Sequence, residues 1–421
     1  MLVYSSLFPS PALPNAGLFV RERAFRAARQ RPIVVVAPQA WFPFQALGRL
    51  VRPGFRPPAP AFSTDNGIEV HRPRWLSFPG VLKRLDGLLM AISVYSCVRR
   101  VVRQHGVAGI DAHFAYPDGR AATLLGRWLR LPVMVTLRGK EERQLRSGVA
   151  SGVRRAIRDA DRLVAVSAAL AEIAVGCGAD PARLRVIGNG VDLDKFRRLE
   201  RAAARRELGL PEAAPVLVSV GGLVERKGFH RVIACLPRLL KRYPDLVYLV
   251  VGGNSAEGDM GTALREQVAA CGLASHVRFL GQVEPARLAV PLSAADVFVL
   301  ATSYEGWANV FLEAMACGLP VVTTRVGGNA EVVTSDRLGT LVAFGDATAL
   351  ESAIVAALEH PWDRDEIVAH AARHGWDARI AQVLAEWDAL LESRPPSAAR
   401  TPAQPVSGSP RDHNAIRMED R

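Results

Sequence analysis

The sequence predicts an α/β protein of two Rossmann-like, doubly wound domains that face a central cleft. The chain has 421 residues, about the length of two domains of some 200 residues each. Short apolar runs alternate with helical patterns in the first half, and a second series of the same kind follows. A charged Arg/Ala/Glu stretch at residues 195–213 separates the two series. We therefore expect one domain over residues 1–196 and another over residues 197–375.

The first series starts at the N-terminus. Apolar runs predict strands at residues 2–5, 33–37, 133–137, 163–166 and 184–187, with a further short strand ending at 110–111. Helical patterns lie between them at residues 16–30, 79–103, 118–129, 152–158 and 168–175. Residues 39–66 are rich in proline and aromatic residues and are predicted to form a loop. Short strands connected by helices predict a parallel sheet with helices on both faces.

The second series repeats this pattern. Its predicted strands are residues 216–220, 247–251, 277–280, 297–300, 320–323 and 338–342. The helical pattern at residues 376–392 is expected to pack back toward the first domain. Residues 393–421 are rich in Pro, Ser, Ala and Arg without apolar periodicity, which predicts a disordered tail. Two such domains leave a cleft between facing strand ends, where ligands bind.

Composition excludes several classes of protein. Apolar residues make up 49% of the chain and charged residues 22%, so the chain is not disordered throughout. No apolar run reaches the ~18–20 residues of a membrane span, and a signal peptide is not expected because the N-terminus lacks a basic flank. The five cysteines lie far apart without a C-x-x-C pair, so neither a disulfide framework nor a zinc site is indicated. A reducing, cytoplasmic location fits best.

The net charge of +12 is unevenly distributed. Residues 1–200 hold 31 Lys/Arg and 15 Asp/Glu, or +16, whereas the remaining residues hold 22 and 26, or −4. Basic surface attracts acidic substrates, anionic lipid or nucleic acid, and no interleaved basic and aromatic motif favours nucleic acid as a partner. The apolar helical stretch at residues 85–98 has basic pairs on both sides, which favours an anionic membrane surface, although an ordinary packed helix would show the same pattern.

The strongest motif follows the predicted strand at residues 297–300. Glu305 and Glu313 are separated by seven residues, with Glu305 in the strand-to-helix loop and Glu313 about one turn into the helix. A carboxylate one turn into a helix is well placed to accept hydrogen bonds from a ribose diol. Free N–H groups at a helix start bind phosphate with help from the helix dipole, and this helix is predicted to begin near Trp307. The groups concerned belong to Trp307, Ala308, Asn309 and Val310.

A second motif follows the first strand of the second domain. Gly221 and Gly222 come directly after that strand, and Arg226, Lys227 and Gly228 open the next helix. Glycines let the backbone approach a diphosphate, and the two basic side chains supply positive charge. The motif is weak alone, but together with the two glutamates it indicates a phosphate site.

In the first domain, candidate residues follow strand ends. His113 comes just after the strand that ends at residues 110–111, and Arg138 follows the strand at 133–137 at the same sheet edge. Gly17 lies in the loop after the first strand. A lone histidine is more often structural, so the sequence alone leaves the role of His113 open.

These motifs resemble the glutamate–seven–glutamate signature of the family 4 glycosyltransferases, and the resemblance covers about residues 1–392. It implies the GT-B fold and retaining transfer of a sugar from a UDP- or GDP-linked donor to a hydroxyl group. The resemblance is closest to bacterial members that build exopolysaccharide or related cell-surface polymers. It therefore implies a glycan or lipid-linked acceptor, and a peripheral location at the inner face of the plasma membrane.

The resemblance also implies a role for each candidate residue. Glu313 would bind the nucleotide ribose. Glu305, His113 and Lys227 would be catalytic: Glu305 contacts the donor sugar, His113 stabilises an oxocarbenium-like transition state, and Lys227 neutralises the leaving diphosphate. Val283 would meet the nucleobase through its backbone. Further donor contacts would come from Gly17, Arg138, Gly222, Arg226, Gly306, Trp307, Ala308, Asn309 and Val310.

One departure from the family pattern concerns Gly222, where an arginine is usual. Arg226, another basic residue, or Lys227 acting with the helix start would then hold the diphosphate. No Asp-x-Asp motif sits at a strand end, so neither a metal nor another cofactor is expected. Two alternatives stay open: a sugar-nucleotide epimerase of the same fold, and a non-catalytic nucleotide- or membrane-binding scaffold. A dinucleotide oxidoreductase is disfavoured because neither half has G-x-G-x-x-G after its first strand.

Overall fold

The computed structural model describes residues 1–51, 55–255 and 257–393. It contains one sheet of eight strands and one of six, each in its own α/β domain. Loops at the carboxyl ends of the two sheets meet at Gly139 and Gly306. The predicted fold class, two doubly wound domains that face a cleft, is therefore confirmed.

The first domain alternates strands and helices. Its strands are β1 (Leu2–Tyr4), β2 (Val34–Val36), β3 (Gln39–Trp41), β4 (Phe62–Asp65), β5 (Ile68–His71), β6 (Arg74–Leu76), β7 (Ile110–His113), β8 (Val133–Leu137), β9 (Arg162–Ala165) and β10 (Leu184–Val186). Its helices are α1 (Leu18–Ala27), α2 (Gln45–Val51), α3 (Asp86–His105), α4 (Arg120–Leu129), α5 (Glu141–Leu145), α6 (Ala150–Asp159) and α7 (Ala168–Gly176).

The second domain follows the same plan. Its strands are β11 (Val216–Val220), β12 (Val247–Val251), β13 (Val277–Gly281), β14 (Val297–Leu300), β15 (Val321–Thr324) and β16 (Gly339–Val342). The remaining helices are α8 (Arg201–Glu207), α9 (Phe229–Arg242), α10 (Gly261–Ala270), α11 (Ala289–Ala294), α12 (Asn309–Ala316), α13 (Asn329–Val332), α14 (Ala347–Glu359), α15 (Arg364–Ala372) and α16 (Trp376–Glu392).

Strand order creates one switch point in each sheet. The first sheet runs β10-β9-β8-β7-β1-β2-β5-β4, parallel except for the β4–β5 pair, and the second runs β13-β12-β11-β14-β15-β16, all parallel. In the first sheet, successive strands lie on one side of β1 until the chain returns to its other side at β7. In the second sheet, the chain returns in the same way to the other side of β11 at β14. Loops diverge at such points and open a crevice at the carboxyl ends of the strands.

Burial on both faces explains why the strands are nearly continuous apolar runs. In β11, Val216 and Val218 pack on the side of α12 and α15, while Leu217 packs on the side of α9 and α14. In β1, Leu2 packs on the α3 side and Val3 on the α1 side. Each domain therefore has apolar core on both faces of its sheet.

The last helix, α16, packs against the first domain. Ile380 and Leu384 lie with Ala27 of α1, and Trp387 lies with Met134 of β8. The chain thus crosses between the domains twice, once after β10 and once before α16. The tail predicted as disordered lies outside the described residues except for Ser393.

The predicted loop over residues 39–66 is wrong in part. It contains β3, α2 and the edge strand β4. Asn66 and Gly67, with φ of 48° and 81°, form the two-residue turn that joins β4 to β5. Left-handed backbone at both positions is typical of the type I′ hairpin turn, for which Asn-Gly is the preferred pair. The Pro-rich and aromatic surroundings had obscured this signal.

The helix predicted at residues 79–103 begins later, at Asp86. Gly80 and Leu82 have positive φ values of 74° and 55°, which keep this segment out of the helix. Likewise α1 begins only after Gly17, whose φ is 70°. Both helices therefore begin only beyond a left-handed residue, later than the apolar pattern predicts.

The apolar stretch at residues 85–98 forms most of α3. Met90 and Val94 are buried in the core, whereas Leu88 and Ile92 are 42% and 58% exposed. The helix thus packs in the ordinary way and also presents apolar side chains to solvent. No helix in the described ranges is long and apolar enough to cross a membrane.

Candidate active site

Glu305 lies in a cluster of positive charge in the loop after β14. The side chain is buried, and its Oε1 lies 2.6 Å from Lys227 Nζ. The same oxygen accepts hydrogen bonds from Arg226 Nη1 at 3.0 Å and from Thr302 Oγ1 at 3.2 Å. Because β11 and β14 are neighbours in the sheet, the loops after them bring the two sequence motifs into contact.

Arg226 is shared between two carboxylates. Its Nε and Nη2 donate to Glu257 at 2.7 and 3.3 Å, while Nη1 reaches Glu305. Burial by itself would lower the pKa of Arg226, but Glu305 and Glu257 outweigh burial and raise it. Within the described ranges, Lys227 has Glu305 as its single ion-pair partner. Lys227 therefore has fewer carboxylate partners than Arg226 among the described residues.

The position of the usual family arginine, Gly222, has no spare room. A Cβ at Gly222 would lie 3.1 Å from Ser255 Cβ and 3.3 Å from Ser255 Oγ. The loop that carries Ser255 also carries Glu257, the residue that holds Arg226. Arg226 and Lys227, the candidates for replacing the arginine that is usual at position 222, both contact Glu305.

A glycine-rich loop after β15 holds the backbone at Glu305. The Gly328 N–H donates to the Glu305 carbonyl at 3.1 Å. A Cβ at Gly327, whose φ is 48°, would lie 1.9 Å from the same carbonyl oxygen. This close approach requires glycine at position 327 and fixes the path of the loop.

The signature helix α12 begins at Asn309, two residues later than predicted. Ala308, at the N-cap, has non-helical φ and ψ of −88° and 86°. The N–H groups without an intrahelical partner at the helix start are therefore those of Ala308, Asn309 and Val310, whereas Trp307 lies before the N-cap. The Trp307 ring instead packs on the first domain, where a Cβ at Gly188 would lie 2.6 Å from it.

Glu313 lies one turn into α12 and is half-buried. Burial raises the pKa of its carboxyl to about 7, and nearby Lys227 and Lys195 offset this effect only in part. No donor in the described part of the chain hydrogen-bonds to this carboxylate. Its charge therefore changes near neutral pH, and a ligand hydroxyl that donates to it would favour the ionised form.

His113 is completely buried at the end of β7, beside the switch point of the first sheet. Arg138 Nη2 and Nε lie 2.9 and 3.2 Å from His113 Nδ1. A guanidinium can only donate, so Nδ1 accepts and Nε2 carries the ring proton. Burial, together with Arg138 and Arg23, lowers the pKa of His113 well below its usual value. The imidazole is therefore neutral at physiological pH.

Arg138 connects the two domains through polar contacts. Its Nη1 donates to Asn189 Oδ1, and Asn189 Nδ2 donates to Asn309 Oδ1 at 2.9 Å. The guanidinium also lies over the Phe19 ring, 5.1 Å from its centroid. No carboxylate of the described residues lies within ion-pair distance of Arg138. The first domain thus presents a positive charge that lacks a direct anionic partner.

Two loops around Arg138 have fixed shapes. A Cβ at Gly17 would lie 2.2 Å from the Leu7 carbonyl oxygen, so the loop that leads to Phe19 requires glycine there. The buried Glu141 carboxylate accepts from the backbone N–H groups of Arg138 and Gly139, the latter at 2.7 Å. The loop that carries Phe19 to Arg138 thus needs glycine at position 17, and the contact of Gly17 with the donor stays a prediction.

Val283 lies apart from the charged cluster. It follows β13, which is separated from β11 by β12. Its side chain is half-buried against the second-domain core, and its neighbour Gln282 would contact a Cβ at Gly253 at 2.8 Å. Val283 thus lies at the ends of β12 and β13, and its contact with a nucleobase stays a prediction.

The domains also touch directly. A Cβ at Gly306 would lie 2.7 Å from Gly139 Cα, so the two backbones are in contact. Glu331 of α13 accepts from the Ala168 and Ala169 N–H groups at 2.7 and 3.3 Å. A carboxylate of the second domain therefore caps α7 of the first.

Comparison with known proteins identifies the family. A profile described as Glycosyltransferase Family 4 matches residues 49–195, and one described as Glycosyl transferases group 1 matches residues 200–374. D-inositol 3-phosphate glycosyltransferase from Corynebacterium urealyticum is 33% identical over 310 residues, which cover 67% of this chain and 72% of that protein. The chain belongs to glycosyltransferase family 4.

Other family 4 relatives match over a shorter length. D-inositol 3-phosphate glycosyltransferase 2 from Catenulispora acidiphila is 38% identical over 243 residues, which cover 55% of this chain and 57% of that protein. The chain thus spans little more than half the length of this relative.

A solved structure confirms the GT-B fold expected of a family 4 chain. Sucrose-phosphate synthase from Thermosynechococcus elongatus superposes with a TM-score of 0.74 and 22% sequence identity, over 93% of this chain and 99% of that one. At this level of identity the likeness shows the fold alone.

Several site residues of this family 4 chain make contacts that the sequence does not predict. Glu257, Asn189, Glu331 and Lys195 reach the cleft or its domain contacts through partners distant in the chain. Asn189 stands between two glycines after β10, a pattern that indicates only a turn. Contacts of this kind become visible only once the two domains are placed together.

Proposed function

We propose that this protein is a retaining glycosyltransferase that moves a sugar from a nucleoside diphosphate sugar to an acceptor hydroxyl. One observation carries the proposal: Glu305 and Lys227 are in contact at the switch point of the second sheet, beside the helix that holds Glu313. A carboxylate for the sugar, a cation for the diphosphate and a carboxylate for the ribose are thus neighbours. A nucleotide sugar needs these groups side by side.

Charge stabilisation at the leaving group falls to the second domain. Breaking the bond to the sugar leaves negative charge on the diphosphate, which fixed donors stabilise. Lys227 Nζ and the N–H groups of Asn309 and Val310 are such donors. Lys227 would exchange Glu305 for a phosphate oxygen, while Arg226 and Thr302 keep Glu305 in place to accept hydrogen bonds from the sugar.

The neutral state of His113 suits an oxocarbenium-like transition state. Positive charge develops on the sugar carbon, and a neutral imidazole does not repel it. Arg138 fixes the proton of His113 on Nε2, which is left without a hydrogen-bond partner in the described part of the chain. We assign this N–H to a sugar hydroxyl.

Retention of configuration follows from front-face attack. The acceptor oxygen bonds to the sugar carbon on the face from which the diphosphate oxygen leaves, and the diphosphate takes the acceptor's proton. The protein contributes positioning and electrostatics. Contact between Gly139 and Gly306 supports a closed cleft that limits access of water to the donor.

We further propose that transfer needs no metal. Glu305 forms ion pairs with Arg226 and Lys227, and Glu257 forms one with Arg226. These carboxylates are therefore poor ligands for an ion at the diphosphate, whereas Lys227 can supply the charge.

For the acceptor we propose a lipid-linked glycan of cell-surface polysaccharide synthesis, met at the inner face of the plasma membrane. The apolar side chains of Leu85, Leu88 and Ile92 are exposed beside Arg84. Apolar side chains flanked by arginine can enter the interface of an anionic leaflet. The charge of +16 over residues 1–200 favours the same surface.

A second acceptor class, a phosphorylated polyol, is favoured by two observations. The relatives above are D-inositol 3-phosphate glycosyltransferases by name. Arg138 also lacks a carboxylate partner among the described residues and can take a phosphate.

Donor turnover tests the proposal. Purified full-length protein is given UDP-, GDP- and ADP-sugars in EDTA, alone, with a membrane-lipid extract, or with D-inositol 3-phosphate, and free nucleotide is measured. Release from one donor that depends on an acceptor supports a metal-independent transferase, and the effective acceptor separates the two classes. NMR of the product reports the anomeric configuration.

Two results would overturn the proposed transfer, and a third would overturn only the claim of metal independence. Interconversion of the donor without release of nucleotide indicates an epimerase. Failure to bind or cleave any donor indicates a scaffold. Release that needs added Mg²⁺ removes the claim of metal independence while leaving transfer intact.

A further inference from the structure

We infer a second ligand site, outside the cleft: Glu69, His71 and His105 form a site for a divalent transition-metal ion such as Zn²⁺. The three residues belong to β5 and to the end of α3, and none lies in the cleft loops described above. The inference does not depend on the proposed transferase activity.

Strand alternation explains how the site is built. Along β5, Ile68 and Val70 point into the apolar cluster on the α1 side of the sheet. Glu69 and His71 therefore point to the opposite face. The end of α3 lies over that face and supplies His105, the last residue of the helix. Two adjoining elements thus bring three ligand-type side chains together.

The distances suit tetrahedral coordination. Glu69 Oε2 lies 3.1 Å from His71 Nε2 and 3.3 Å from His105 Nε2. Bonds of 2.0–2.2 Å to zinc correspond to ligand–ligand distances of about 3.3–3.5 Å in a tetrahedron. All three ligand atoms lie within 4.8 Å of one another. A small rotation of the exposed His105 ring would complete the three-ligand set.

Exposure allows an ion to enter. The His71 side chain is 11% exposed and packs against the Phe62 ring, whereas Glu69 and His105 are 41% and 33% exposed. The partly buried His71 imidazole gives the site a rigid wall, and the other two ligands are more exposed to solvent. A fourth position is then left for water, as in open His₂Glu zinc sites.

The donor set favours zinc and related ions over Mg²⁺ or Ca²⁺. Two imidazoles and one carboxylate suit Zn²⁺, Co²⁺, Ni²⁺ or Cu²⁺, whereas the hard ions prefer oxygen ligands. Arg100 lies close enough to act electrostatically on His71, and its positive charge opposes the binding of every cation to the same extent. A carboxylate hydrogen-bonded to two imidazoles would give similar distances, so the experiment must separate the two cases.

Metal titration on the full chain provides this test. Protein without a polyhistidine tag is freed of metal with EDTA, the chelator is removed, and Co²⁺ is added while its visible absorption is recorded. Zn²⁺ is then titrated in competition. We expect one equivalent of Co²⁺ with the intense absorption of a low-coordinate site, displaced by Zn²⁺. We also expect Zn²⁺ to raise the unfolding temperature, because an ion that binds the folded state stabilises it.

Variants connect the binding to these residues. His105→Ala, at an exposed helix end, and Glu69→Gln, which keeps hydrogen-bonding capacity, should each weaken Zn²⁺ binding at least about tenfold. The exposed His360 gives a matched control, and His360→Ala should leave affinity unchanged. Absence of binding, or binding equally strong in His105→Ala and Glu69→Gln, would leave a hydrogen-bonded cluster or adventitious metal only and overturn the inference.

Discussion

The two domains contribute unequal halves of the cleft. In the second domain, Glu305 is surrounded by cations, and these charges are paired before any ligand arrives. In the first domain, Arg138 has only His113 and Asn189 as acceptors of its side-chain hydrogen bonds in the described chain. Under the proposed transfer, the second-domain half, whose charges are already paired, would bind the nucleotide donor. The first-domain half, where Arg138 has no carboxylate partner among the described residues, would bind the acceptor.

The largest effect on the comparison between the two halves of the cleft is expected at Lys227. Lys227→Ala should lower kcat by roughly 10²–10³-fold, the usual loss when one donor to developing negative charge is removed. Steady-state release of nucleotide from the preferred donor measures the effect. Lys241→Ala, an exposed lysine at the end of α9, is the control and should keep full activity. Near-normal turnover of Lys227→Ala would mean that the paired half does not hold the leaving group.

Arg138→Ala tests the other half. Hydrogen bonds from a charged donor contribute about 1.5–3 kcal/mol, or roughly 10- to 150-fold in affinity. We expect that loss in the KM for an anionic acceptor, and a smaller rise in the Kd of the donor because Arg138 also orients His113. Calorimetry with donor and kinetics with acceptor separate the two. A loss confined to donor affinity would assign Arg138 to the donor phosphate. The first domain would then bind the donor as well, contrary to the proposed division.

Glu313 should couple donor binding to pH. Its pKa of about 7 falls when ribose hydroxyls donate to the ionised carboxylate, so binding releases a proton. Affinity for a UDP- or GDP-sugar should therefore rise about tenfold between pH 6 and pH 8. Glu313→Gln should bind with a flat pH profile. A pH-independent wild type would show that Glu313 does not meet the ribose.

The same raised pKa affects stability in the opposite direction. The unfolded chain releases the Glu313 proton at its ordinary pKa, whereas the folded chain keeps it up to about pH 7. Stability therefore falls as pH rises through this window. Glu313→Gln should have a higher melting temperature than wild type at pH 8, and this difference should disappear near pH 4.

The smallest effect is expected at the interdomain cap. Glu331→Ala removes two charge-assisted hydrogen bonds to the start of α7, worth about 1 kcal/mol or roughly fivefold in the closing equilibrium. Both KM values should rise together. Asp346→Ala, which removes the cap of α14 within the second domain, should lower the melting temperature without changing either KM. Equal kinetic behaviour of the two variants would show that Glu331 has no special role in closure.

Local patterns made the second-domain half predictable from sequence. Glu305 and Glu313 lie on one continuous segment, and the resemblance of that segment to the family signature identifies both residues. The sequence does not predict that the strand before Lys227 lies next to the strand before Glu305. The contact chain from Arg138 through Asn189 to Asn309 joins three separate segments, and no spacing rule encodes it.

Errors in the elements have equally local causes. The sequence pattern does not predict the Asn66-Gly67 turn because proline and aromatic residues surround it. The predicted start of α12 is too early because Ala308, with non-helical φ and ψ of −88° and 86°, is the N-cap of the helix.

The packing of Trp307 on Gly188 has a thermodynamic consequence for product release. Separating the domains transfers this ring and the apolar side chains around it into water. Hydration of apolar surface raises the heat capacity, so domain opening carries a positive heat-capacity change. Where release limits turnover, the Arrhenius plot of multiple-turnover rates should curve, while that of single-turnover chemistry in the closed cleft stays nearly straight.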